Sequence, residues 1–224
     1  MTNFIKVTLL NATLATLLLP AAAQTSSAPA QTNANAAQAP ATATTSPTPN
    51  QGVNQRKANQ QNRIANGIDN GSLTKGEAGN LEGRESQLNQ EESNMKKLDN
   101  GHLTAADRAT LQQQQNKLSN QIHQDAHNSN VQTTHPATEV GQREQDQQKS
   151  IASGIKNDNL SAGQASKLEN KEADINQEVK SDRAANGGKL TQAEKSQVTK
   201  QQNGVAYQVH HEKQAHNNKR KTAK

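Results

Sequence analysis

From about residue 54 onward, large apolar side chains are sparse and return at regular intervals, often seven apart. Leu81, Leu88 and Met95 form one row, and Leu111, Leu118 and Ile122 a second. Leu168, Ile175 and Val179, then Val198, Val205 and Val209, form two more. Positions three, four or seven apart share one face of a helix. Each row therefore predicts a helix with a narrow, coiled-coil-like apolar stripe.

Between the rows one phrase recurs: Asp69-Asn70-Gly71-Ser72-Leu73-Thr74-x-x-Glu77, then Asp99-Asn100-Gly101-His102-Leu103-Thr104-x-x-Asp107. It returns as Lys156-Asn157-Asp158-Asn159-Leu160-Ser161-x-x-Gln164 and Asn186-Gly187-Gly188-Lys189-Leu190-Thr191-x-x-Glu194. Asn-Gly pairs supply the left-handed backbone that ends a helix. Thr or Ser followed three residues later by an acid or amide is a capping box that starts the next. The expected capping pairs are Thr74 with Glu77, Thr104 with Asp107, Ser161 with Gln164, and Thr191 with Glu194. The predicted helices cover 54–69, 75–98, 105–127, 142–156, 162–185 and 192–216.

A shift of about 87 positions lays Ile64-Ala65-Asn66-Gly67-Ile68 on Ile151-Ala152-Ser153-Gly154-Ile155 and keeps its register through Gln114-Gln115-Asn116 on Gln201-Gln202-Asn203. The chain reads as an all-α protein of two tandem copies of a three-helix unit, residues 52–128 and 141–217. A linker over 129–140, containing Thr133, Thr134, His135 and Pro136, joins them. A basic tail follows over 218–224. Whether the copies pack together is open at this level.

The N-terminal segment has a different character. Lys6 precedes an apolar run over 7–19, then Pro20 and Ala21-Ala22-Ala23, the pattern of a secretory signal cleaved after Ala23. The run falls short of the ~20 residues that span a bilayer, so no membrane span is expected after cleavage. Residues 24–51 are Ala, Thr, Ser, Pro, Asn, Gln, Gly-poor and uncharged, which predicts a disordered spacer. The expected address is bacterial, periplasmic or secreted.

Composition limits what the helices can do. The 224 residues are 29% hydrophobic and 1% aromatic, with no cysteine or tryptophan. Large apolar side chains make up ~14% of the chain after residue 50, a level at which disorder is suspected. A thick globule with an enclosed active site is not expected. The lack of cysteine removes thiolate nucleophiles and thiolate metal sites. The net charge of +5 is concentrated in Lys219, Arg220, Lys221 and Lys224, while the helices mix both signs. Without aromatic platforms for bases, nucleic acid is not an expected partner. The tail suits anionic surfaces of the cell envelope instead.

No Gly-rich phosphate loop, Gly-x-Ser-x-Gly elbow or His-Glu-x-x-His helix is present, and no catalytic residue or cofactor is expected. Glu85 and Glu172 recur beside the apolar rows; their stems are expected to pack while the carboxylates reach water. The turns resemble half of a calcium loop, but the third ligand position is Ile68, Leu98, Ile155 or Ala185, which donates no side-chain oxygen. His123 and His127, one turn apart, and His210 and His216 at the matching end are candidates for weak divalent-metal binding. Solvated residues at a helix C-terminus are the alternative reading.

The repeated Gly-x-Leu-Thr-x-x-Glu turns, the Gln-Gln-Asn run and His127-Asn128 resemble small exported bacterial helical-repeat proteins of uncharacterised function. The resemblance covers about 54–217. More loosely, the Leu-Thr-x-x-Glu phrases are similar to the Leu-Thr-x-x-Gln motifs of the Spy and CpxP periplasmic stress proteins; Leu160-Ser161-x-x-Gln164 keeps the Gln. That likeness implies all-helical, ATP-independent chaperones. The expected function is a non-enzymatic binding or structural protein of the envelope, acting through self-association or envelope partners. The alternative is a periplasmic chaperone or weak metal binder.

Overall fold

The capped turns divide the chain into six helices in a computed structural model whose described residues are 49–222, apart from 133, 134 and 136. The helices are α1 (Pro49–Asn70), α2 (Lys75–Leu98), α3 (Ala105–Ala126), α4 (Glu139–Lys156), α5 (Ala162–Ala185) and α6 (Gln192–Thr222). The protein is all-α, with no strand among the described residues. The expected signal segment 1–23, the expected spacer up to residue 48, and Thr133, Thr134, Pro136, Ala223 and Lys224 lie outside the described residues.

Three boundaries differ from the sequence expectation. α1 begins at Pro49, inside the expected spacer, because proline suits the first helical position, where no N–H is needed. α4 begins at Glu139, inside the expected linker, because Thr138 caps it through the Gly141 N–H, and Val140 is buried. The expected basic tail continues α6 to Thr222, where Lys219, Arg220 and Lys221 meet the negative end of the helix dipole.

The turns follow one plan. Thr74, Thr104 and Ser161 each form a reciprocal capping box with Glu77, Asp107 and Gln164. Thr191 and Glu194 make the matching bonds at the start of α6. Left-handed backbone falls at Gly71 and Asp158, at Asn100 and Gly187, and at Gly101 and Gly188, three pairs of corresponding positions. The leucine before each cap, Leu73, Leu103, Leu160 or Leu190, is buried, so the phrase is an apolar anchor as well as punctuation. A Cβ on Gly67 would stand 2.6 Å from Leu73, and one on Gly154 would stand 2.5 Å from Leu160. Those glycines let the leucines fold back against the preceding helix.

α1–α3 pack on one another, as do α4–α6, and the tightest helix pair, α2 with α5, joins the two sets. α1 and α4 make the next largest junction. Along α2 and α5, Gly79 faces Asn170, Gly83 faces Ser166, and Ser86 faces Gly163, an antiparallel register. The Ser166 hydroxyl donates to the Gly79 carbonyl at 2.8 Å across a sequence separation of 87 residues. Positions 79 and 166, which the 87-residue shift lays on each other, therefore meet across this junction. The small residues let the helices approach closely, and one hydrophobic cluster runs through both sets. It includes Leu81, Leu118 and Ile122 from the first set and Leu168, Val198 and Val205 from the second. Among the large apolar residues of the described helices and loops, Leu98, Val131 and Tyr207 stand exposed.

Candidate functional site

The junction is not purely apolar. Glutamines stitch the outer helices to it at corresponding places. Gln60 Nε2 donates to the Gln115 carbonyl at 2.7 Å, and Gln147 Nε2 to the Gln202 carbonyl at 2.5 Å. Gln115 and Gln202 in turn donate to the carbonyls of Val53 and Val140, both at 3.0 Å. These bonds tie helices together where apolar side chains are too few to do so. A buried hydrogen bond of this kind contributes about 1 kcal/mol net.

Four carboxyl groups lie deepest. Glu82, Glu169 and Glu172 are 0% exposed and Glu85 is 1% exposed. The expectation that the heads of Glu85 and Glu172 reach water is overturned, because packing of α2 on α5 and of α1 and α4 over them closes the route. Gln61 donates to Glu82 at 3.0 Å and Gln148 to Glu169 at 3.1 Å. The remaining oxygens of Glu82 and Glu169, one of Glu85 and both of Glu172 have no hydrogen-bond partner among the described residues.

Burial in this dry seam disfavours the charged form. It pushes Glu82 and Glu169 up to about 8, and Glu85 and Glu172 up to about 7. The Gln61 and Gln148 amides pull Glu82 and Glu169 partly back, while neighbouring carboxylates add to the rise. Lys57 moderates Glu85, and Lys75 moderates Glu172. Lys75, itself 2% exposed, reaches from the start of α2 to contact Glu144 of α4 and stands 3.7 Å from Glu172 of α5. The seam thus holds protonated carboxyl groups near neutral pH and ties the two helix sets through one buried lysine.

No family model matches the chain, and neither does any curated protein or solved structure.

The sequence-derived candidates lie away from the seam. The capping residues serve the turns, and some do more. Burial would raise Glu77, but hydrogen bonds from Asn130, Asn128 and Thr74 outweigh it and hold its carboxyl below the ordinary value. Glu77 thereby pins the segment after α3 to the start of α2. At the corresponding place, Gln164 bonds Glu212 of α6. The rings of His123 and His127 lie 4.3 Å apart, and His127 Nδ1 is 2.8 Å from the His123 carbonyl. His210 accepts from Gln214 at 2.7 Å, and His216 lies farther along α6. Among the described residues no three His, Asp or Glu side chains converge as a metal-holding group.

Sequence reasoning passed over Glu82 and Glu169 and the glutamines that meet them. A signal was present: Gln60-Gln61 recurs as Gln147-Gln148, and Leu81-Glu82 as Leu168-Glu169, in the same register.

Proposed function

We propose that this is an exported, non-enzymatic protein of the cell envelope, built from two copies of one helical unit, that acts by binding or by occupying space. The observation that carries the reading is where the strongly perturbed acids sit. The four glutamates whose pKa values burial raises most are sealed at the helix junction, where no substrate reaches them. Glu82 and Glu169 are bonded within their own helix sets by Gln61 and Gln148, and Glu172 faces Lys75 across the junction, which supports a structural rather than a chemical use. The segment over 1–23 has the charge and apolar pattern of an export signal, and no helix among the described residues is long and apolar enough to cross a membrane. The exposed apolar residues Leu98, Val131 and Tyr207 are scattered over three elements, a poor surface for holding an unfolded client, which favours this reading over a chaperone.

Mass spectrometry of the protein from a bacterial envelope fraction should find a mature N-terminus at Gln24. An intact Met1 in the cytosol would overturn the export reading. Turnover of an ester, glycoside or peptide substrate that disappears in Glu85→Gln/Glu172→Gln, with folding kept, would overturn the non-enzymatic one.

A further inference from the structure

A half-open cavity of about 400 Å³ lies where the start of α4 meets the turn between α5 and α6. Its apolar floor includes Val140 and Leu190, both buried, and its rim carries His135, Arg183, Lys189 and Lys195. The side chains of Arg183, Lys189 and Lys195 make no ion pair or hydrogen bond among the described residues. Two acids close by are engaged elsewhere. Glu139, which also lines the rim, pairs with Arg143 at 2.5 Å, and Glu194 accepts from Asn186 and Thr191.

The first helix set shows what these positions do when they serve structure alone. Lys96 corresponds to Arg183, and its ammonium is held by Glu92 at 2.5 Å. Arg108 corresponds to Lys195, and it donates to the Leu103 carbonyl at 2.5 Å. In the second set Val179 stands in place of Glu92, so the counter-charge is gone while the cations remain. Three unpaired cations over an apolar floor form a receptor-like arrangement: the floor takes an apolar body and the rim takes its charge.

We propose that this cavity binds a small organic anion, a phosphate or carboxylate carried on an apolar body. The inference deepens the binding role proposed above and rests on it. Arg183 and Lys195 hold the charged group, and Val140 and Leu190 pack against the apolar part. Glu139, tied to Arg143, leaves the rim with a net positive charge.

The test is calorimetric titration of the full chain with phenyl phosphate at pH 7, beside inorganic phosphate and benzyl alcohol. The expected result is saturable one-to-one binding of phenyl phosphate, about tenfold tighter than either control, since each control keeps only half of the recognition. Arg183→Gln/Lys195→Gln, two changes outside the core, should weaken it about tenfold or more. Val179→Glu, which restores the acid found in the first set, should do the same where circular dichroism shows that it folds. Unsaturable heats, or equal affinity in the Arg183→Gln/Lys195→Gln protein, would overturn the site and leave the broader binding reading standing. Release of phenol from the probe would instead overturn the non-enzymatic reading.

Discussion

Where the first helix set holds Glu92, bonded to Lys96 and facing Lys57 at 3.6 Å, the second holds Val179. Where the first holds Lys57, the second holds Glu144, whose cation is Lys75, delivered from α2 across the junction. The scaffolds match, down to glutamine bonds and left-handed turn residues, yet the charges have been redistributed. The consequence is visible in the core. Val179 belongs to the hydrophobic cluster that runs through both sets, whereas Val53, Leu103 and Leu111 form a separate small cluster at the Glu92 end. A charge kept inside one set can be satisfied near the surface; a charge satisfied across the junction makes each set depend on the other.

Lys75 gives the largest expected effect. Lys75→Met leaves Glu144 and Glu172 without their buried cation and should cost about 3–5 kcal/mol near pH 8, measured by urea unfolding. Lys57→Met, which removes the half-exposed counterpart, should cost no more than about 1 kcal/mol. Equal losses would erase the contrast between the two sets.

Stability should also depend on pH in a direction opposite to that of paired surface carboxylates. The buried glutamates have folded pKa values of about 7 and 8 against an ordinary value of 4.5, so the folded state binds their protons more tightly than the unfolded chain does. Their contribution is fully present below pH 4.5 and is lost as pH rises to about 8. The slope reaches about 1.4 kcal/mol per pH unit for each such carboxyl. Glu82→Gln/Glu169→Gln keeps the shape and stays neutral, so unfolding midpoints measured from pH 4 to 9 should flatten. An undiminished slope would place the titration elsewhere.

Next in size are the paired glycines. Gly67→Ala and Gly154→Ala each push a methyl into the leucine of the following turn, an overpacking cost of about 1–3 kcal/mol. Similar thermal shifts are expected in both, since the two turns share one geometry. Smallest are the caps: Thr74→Ala, Thr104→Ala and Ser161→Ala should each cost about 1 kcal/mol. Thr74→Ala should exceed Thr104→Ala, because Glu77 also holds Asn128 and Asn130 while Thr104 is exposed. Melting temperatures of the two variants decide that order.

Much of the helix plan was legible because its causes are local. α2 and α5 begin and end where their caps and Asn-Gly or Gly-Gly turns put them, since capping depends on residues three or four apart. The starts of α1 and α4 were less legible: Pro49 lies in a spacer-like composition, and Thr138 caps α4 without the acid or amide that completes a box. The carboxyl seam was hidden for another reason. Glu85 and Glu172 stand beside the apolar rows in the sequence, but one helix face cannot say what a second helix will cover. The cavity was equally hidden, because its rim comes from the loop before α4, the end of α5 and the start of α6.

The sequence by itself determined that this chain forms helices, where most of them stop, and which residues form their apolar rows, since periodicity and capping act over one or two turns. Only the tertiary structure decided that α2 would lie antiparallel on α5. Close approach of Gly79, Gly83 and Ser166 brings two thin stripes into one core, and the same approach takes four carboxyl groups out of water. Their burial, and with it their protons, belongs to the contact between distant segments and to neither segment alone.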